Sequence, residues 1–403
     1  MNNKQLAPTA RRYRVLLVIC WPVGGIRTFI RYVFTNFDRS RYILTILAPD
    51  QPELRTLLDD LRDLDVTYVP VHYAPRQPGF LLSVIRTILL GKYDLVHSQG
   101  FMAGAYSTIP ARLSRTRHIM TSHDVLLPGQ FLGLKGLLKR KLLAFLFSKI
   151  DVIQSVSDDA SRNLIENIPN LGEYDGKCIT IRNGVDVDRF SRPESRNLRK
   201  ELDLPDDTFL VGFLGRFMAQ KGFRYLVDAF EILLAITDLP RKPVIVATGF
   251  GGFIREEKDY LKGKGLEDHV HFLAFSPNIA PVLKGLDVVA MPSLWEACGL
   301  LAMEAMVAGV PVIGTDCIGL REVLRDTPSR MVRAANSTEL ARAIEAEMKS
   351  PSKADAMRFA DEAKRRFDVK EQAARMEEVI LGMVGDPARP GQGATQLTPR
   401  RPR

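Results

Sequence analysis

Residues 287–315 read DVVAMPSLWEACGLLAMEAMVAGVPVIGT, and the succession of residue types in them decides the fold. DVVAMPS (287–293) is an apolar, β-branched run closed by Pro292 and Ser293, the pattern of a buried strand. Leu300 to Ala308 are good helix formers, so a helix should open near Gly299 and end at Gly309–Val310–Pro311. PVIGT (311–315) then restarts an apolar strand. Two strands joined through a helix are expected to lie parallel in one sheet. Two carboxylates interrupt this apolar stretch: Glu296 in the strand-to-helix loop, and Glu304 one to two turns into the helix. Burying a charge without a partner is costly, so both need a reason.

The same alternation fills the chain. Strand candidates precede the connector at 14–20, 42–48, 66–71, 93–98, 118–123, 151–156 and 178–183. Others follow it at 209–215, 243–249, 270–275, 287–293, 311–315 and 330–334. Helical periods lie between most of them, which predicts an α/β fold of two doubly wound parallel sheets. A charged, Pro-containing connector, DRFSRPESRNLRKELDLPDD (188–207), separates the halves. Domains are therefore expected over 12–190 and 191–365. A last helix over 366–385 has no strand partner and is expected to return to the first domain. A Pro-, Gly- and Arg-rich tail over 386–403 reads as disordered and basic.

Composition narrows the classes. Of 403 residues, 46% are hydrophobic and 26% charged, which suits two globular cores. No apolar run reaches the roughly 20 residues of a membrane-spanning helix, and RVLLVIC (14–20) reads as a strand rather than a secretory leader. Cys20, Cys178, Cys298 and Cys317 are widely spaced and form no metal motif, so reduced cytosolic thiols are expected. The formal net charge of +9 suits an anionic partner.

Ligands of such sheets sit beyond the carboxyl ends of the strands. There the helix opening near Gly299 offers the amides of Gly299, Leu300 and Leu301 to an anion. Glu296 and Glu304 flank that spot, and carboxylates accept hydrogen bonds from hydroxyls. A ligand with a diphosphate between two hydroxylated groups, a nucleotide-sugar, fits the arrangement. A solvated helix face is the alternative. GRFMAQKG adds Arg216 and Lys221 after another strand, two cations placed to neutralise a diphosphate. VGGIRTF (23–29) places Gly24 and Gly25 in a glycine turn after the first strand, where backbone can approach a ligand. GFGGF (249–253) lacks the spacing of a dinucleotide fingerprint. TSHD (121–124) leaves His123 at a strand end. DVD (186–188) fits a metal-holding pattern, yet Arg216 and Lys221 already supply the charge a metal would bring. GLKGLLKRKLLAFLFSK (133–149) reads either as a membrane-surface helix or as an ordinary helix over a sheet.

Together these stretches resemble the retaining glycosyltransferases of family 4, over most of the chain and most strongly from 180 to 325. The likeness rests on IRNGVDVDRF, GRFMAQKG, ATGFGG, VHFLAF, MPSLWEACGLLAMEAMVAGVPVIGTD and the Glu296-x7-Glu304 spacing, and more loosely on the GG turn and His123. It implies the GT-B architecture, two facing Rossmann-like domains with an interdomain cleft. It implies a nucleotide-sugar donor in the second domain, and a glycan or lipid-linked acceptor in the first. Transfer would retain anomeric configuration, with no cofactor, no bound metal and no nucleic acid. In that pattern Arg216 and Lys221 hold the diphosphate and Glu296 contacts the sugar. Glu304 binds the ribose, the 299–301 amides support the phosphates, His123 sits near the sugar, and Gly25 lies beside the diphosphate or acceptor. Cys298, Ala274 and Ile318–Gly319 depart from the family's usual residues. The expected setting is cytoplasmic, peripheral at the inner face of the membrane should 133–149 bind it. An epimerase or a phosphorylase on the same fold is the competing enzyme class, and a degenerate scaffold the non-enzymatic one.

Overall fold

The computed structural model describes residues 11–385 except 193, 250, 275 and 277. The expected disordered tail, 386–403, lies outside the described residues, as do Phe250 of the GFGGF turn and the last residue of the run 270–275. The chain divides into two compact units. One comprises residues up to Arg182 and from Lys370 on; the other runs from Asn183 to Val369.

In the first unit seven strands form one parallel sheet: β1 (Tyr13–Ile19), β2 (Tyr42–Pro49), β3 (Val66–Val71), β4 (Leu95–Gln99), β5 (Arg117–Ser122), β6 (Val152–Ser155) and β7 (Cys178–Thr180). Their order is β3-β2-β1-β4-β5-β6-β7. Alternation along the strands sorts the core into two faces. Val15, Leu17 and Ile19 meet the helices Gly24–Phe34 and Pro52–Asp60, together with Ala373, Met376 and Ile380 of the helix Val369–Val384. Leu16, Val18 and Val96 meet Phe80, Val84 and Ile88 of the helix Pro78–Leu90, and Ala103 and Ala111 of the helix Phe101–Leu113. On the same side Met120 and Ile153 pack on Phe147 of the helix Gly133–Phe147. Strands apolar on both faces follow from helices on both sides.

The second unit holds six parallel strands: β8 (Phe209–Leu214), β9 (Pro243–Thr248), β10 (Val270–Leu273), β11 (Val288–Met291), β12 (Val312–Thr315) and β13 (Arg330–Val332). Their order is β10-β9-β8-β11-β12-β13. The opening stretch of sequence is thus β11, the helix Leu300–Val307 and β12. At the division between units, Val185 donates to Phe367 O (2.8 Å) and Val369 donates back to Val185 O (3.2 Å). That pairing ties Asn183–Val187 to the second unit, which begins eight residues ahead of the boundary expected from composition.

Candidate active site

In the second sheet the strand order reverses between β8 and β11. Loops leaving two such neighbours turn to opposite faces, so the carboxyl end between them is where a crevice opens. Here those loops are interlocked. Leu294 donates its N–H to Gln220 O, and Gln220 Nε2 donates to Trp295 O, both at 2.8 Å. Gly222 sits in the left-handed region (φ 68°), and a Cβ there would lie 2.0 Å from Pro292 O. Any other residue would push the β8 loop off the β11 loop. The end of β12 and the loop after it add a third hold: Thr315 Oγ1 donates to Ser293 O (2.6 Å), and Glu296 N–H donates to Ile318 O (3.0 Å). Gly319 (φ 78°) closes against Glu296 O, 2.3 Å from where its Cβ would stand.

This clamp fixes Glu296, which is only 6% exposed. Its Oε1 accepts from Lys221 Nζ at 2.6 Å and from Ser293 Oγ at 2.8 Å. A buried carboxylate with a cation and a hydroxyl on one oxygen is a stabilised charge. The sequence had assigned Lys221 to a diphosphate and Glu296 to a sugar; the fold places the two side chains in contact. Arg216, two residues past the end of β8, is half-buried at the same end of the sheet. Glu304 is the fifth residue of its helix and buried. Both are engaged by neighbouring groups.

Of the three amides assigned to an anion, that of Leu300 already donates to Cys298 O (3.0 Å). Gly299 is the N-cap, and it contributes no side-chain cap to this helix end. Burial, with the nearby charges of Glu322 and Glu296, pushes the Cys298 thiol far above its ordinary range. At physiological pH it is therefore a neutral thiol. Asp186 of the DVD run caps the helix Val187–Ser191, accepting from Arg189 N at 3.0 Å. Among the described residues no three His, Cys, Asp or Glu side chains gather as a metal site.

The first sheet reverses between β1 and β4. Gly24 and Gly25, expected in a turn, instead open the helix Gly24–Phe34. The chain can pass directly from β1 to helix because Gly24 adopts φ 56°, which a side chain would resist. The preceding N-cap, Val23, supplies no side-chain acceptor. His123 lies just beyond β5, its Nε2 2.7 Å from Gln99 Oε1 and its ring edge-on to Phe29 at 4.8 Å. Burial and the neighbouring His97 push its imidazole down to about 3, so it is neutral at physiological pH. With Gln99 accepting from Nε2–H, Nδ1 is left as an acceptor.

Gln99, Ser293, Gln220 and Thr315 were not singled out from sequence. Ser293 and Gln99 had a legible signal, a polar residue ending an apolar strand where such sheets bind ligands. Gln220 and Thr315 had none, because their roles depend on contacts between distant loops.

Two family models match the chain: "Glycosyltransferase Family 4" over residues 23–189 and "Glycosyl transferases group 1" over residues 194–366. A D-inositol 3-phosphate glycosyltransferase of Corynebacterium jeikeium is 26% identical over 328 residues, 74% of this chain and 76% of the relative. A 2-deoxystreptamine glucosyltransferase of Streptomyces kanamyceticus is 32% identical over 188 residues, 45% of this chain and 48% of the relative. Among solved structures, Anabaena HepE in complex with UDP-glucose superimposes with a TM-score of 0.77 at 22% identity, covering 92% of this chain and 99% of that one. The likeness to HepE is one of fold, and it carries the GT-B architecture.

Proposed function

Because the chain belongs to the group 1 glycosyltransferases of family 4, we propose that it moves a sugar from a nucleotide-sugar donor to a glycan or lipid-linked acceptor. Transfer retains anomeric configuration, is of the hexosyl type and needs no bound metal. The observation that carries this reading is the clamped Lys221–Glu296 pair at the β8/β11 reversal, with Arg216 at the same end of the sheet.

Departure of a nucleoside diphosphate builds negative charge on its terminal phosphate. Arg216 and Lys221 are the cations that stabilise it. Lys221 shares its charge with Glu296, so the carboxylate fixes the ammonium in place before the donor arrives. Glu296, with Lys221 and Ser293 both donating to Oε1, is a weak nucleophile. It suits stabilisation of positive charge developing on the sugar better than covalent attack. Glu304 takes the ribose hydroxyls, and the amides of Gly299 and Leu301 support the phosphates; in the first unit, Gly24 and Gly25 let backbone approach a ligand. Neutral His123 offers Nδ1 as an acceptor for a sugar hydroxyl. The basic, apolar-faced helix 133–149 supports the further reading that the enzyme works peripherally on the cytoplasmic face of the membrane, in cell-surface polysaccharide or glycolipid synthesis.

The test is a panel of nucleotide-sugars, headed by UDP-glucose, incubated with the enzyme and a membrane-lipid extract and followed by mass spectrometry. Sugar appearing on an extract component supports the reading. Sugar released only as sugar phosphate when orthophosphate is added, or an epimerised nucleotide-sugar without transfer, overturns it.

A further inference from the structure

The helix Gly133–Phe147 leaves one side bare. Leu134 is 82% exposed and Leu138 68%, with Leu142 and Phe145 on the same face and Lys141 among them. Its opposite side, Gly136 and Phe147, packs inward. Lys135 stands in the first turn, where the helix dipole disfavours a cation and where this helix carries no acid. Helix stability does not explain that placement.

The bare surface is wider than one helix. Pro78–Leu90, Phe101–Leu113 and Gly133–Phe147 pack side by side on one face of the first sheet. Each follows a strand of a parallel sheet, so all three run the same way and end at the same edge. At that edge each pairs an exposed apolar residue with a cation: Leu90 (72% exposed) with Lys92, Leu113 (70%) with Arg115, and Phe145 with Lys149. Charge is segregated here too. Residues 66–150 contain eleven Lys and Arg against Asp94 and Asp124 alone, a net of +9 that equals the net of the whole chain.

We infer that this three-helix face is a docking surface for a bilayer rich in anionic lipid. Apolar side chains enter the headgroup boundary while the lysine and arginine heads remain among lipid phosphates. A second copy of the chain is disfavoured as occupant, because each face would bring the same positive charge. Nucleic acid phosphates would match the charge but leave the leucines uncovered. The inference widens the peripheral contact proposed for 133–149 and rests on that reading, but it does not depend on sugar transfer.

The test is co-sedimentation of the full chain with phosphatidylcholine vesicles, with and without phosphatidylglycerol, checked by circular dichroism for folding. The protein is expected to bind only the anionic vesicles, and to be released by high salt. Lys135→Glu/Lys139→Glu/Lys141→Glu and, separately, Leu90→Gln/Leu113→Gln should each weaken binding at least tenfold while leaving nucleotide-sugar turnover with a soluble acceptor unchanged. If the lysine variant loses binding and the Leu90/Leu113 variant does not, only the helix 133–149 touches lipid, and the wider surface is wrong. Absence of binding to anionic vesicles, or concentration-dependent dimerisation abolished by Leu90→Gln/Leu113→Gln, overturns both.

Discussion

Glu296 and Lys221 stand 75 residues apart in sequence and 2.6 Å apart in the fold. Removing one partner of such a pair leaves the other's charge buried without compensation. Lys221→Met should therefore destabilise the second unit by about 2 kcal/mol, besides abolishing transfer. Urea denaturation checks the first effect and a donor-turnover assay the second; a stable, active variant would show that the pair is incidental. Sequence identified both residues but gave them separate tasks. Nothing local records that the two loops meet, because their contact depends on Gly222, and an isolated glycine in a loop has many uses. Cys298 is legible as a departure from the family pattern, but the neighbouring charges of Glu296 and Glu322 that raise its thiol are set only by the fold.

At the scale of elements, the loop clamp makes its own prediction. Gly319→Ala forces a Cβ to 2.3 Å from Glu296 O at a left-handed φ. The loop must move, and transfer should fall at least tenfold although no charged group is lost; unchanged turnover would show that the three loops do not position Glu296. Asp186→Ala should remove a helix cap worth about 1 kcal/mol in thermal unfolding, and the unsubstituted enzyme's activity should withstand a chelator. Activity lost on chelation and restored by a divalent metal would return the DVD run to the reaction. All thirteen strands among the described residues fall within or beside runs expected from sequence, because β-branched apolar segments between helical periods have few other homes. The ends were less legible. Asp94 lies outside β4 because its carboxylate takes the Arg14 N–H (2.8 Å), and Asp287 lies outside β11 because it takes the Leu210 N–H (2.7 Å). The helix starting at Gly24 was missed because nothing caps it, so the glycine pair read as a turn.

For the whole molecule, the first unit carries His97 and His118 fully buried, bonded to Thr121 Oγ1 (2.7 Å) and Ser98 Oγ (2.8 Å). Burial pushes both imidazoles from the ordinary 6.5 down to about 3. The unfolded chain then takes up their protons first as pH falls. Their contribution is intact above about pH 6.5 and is lost progressively toward pH 3, at up to about 1.4 kcal/mol per pH unit for each histidine. Denaturation midpoints at pH 7.5, 6 and 5 should fall in that order, with a shallower slope in His118→Asn; a flat profile would contradict the burial. The assignment of transfer to the second sheet's strand reversal is tested by Glu296→Ala and Glu304→Ala side by side, measuring nucleotide affinity by calorimetry and sugar transfer from the same donor. Glu304→Ala should weaken nucleotide binding about tenfold, a loss of about 1.4 kcal/mol. Glu296→Ala should leave binding within threefold and cut transfer at least a hundredfold. Wild-type binding and wild-type transfer in both variants would contradict it.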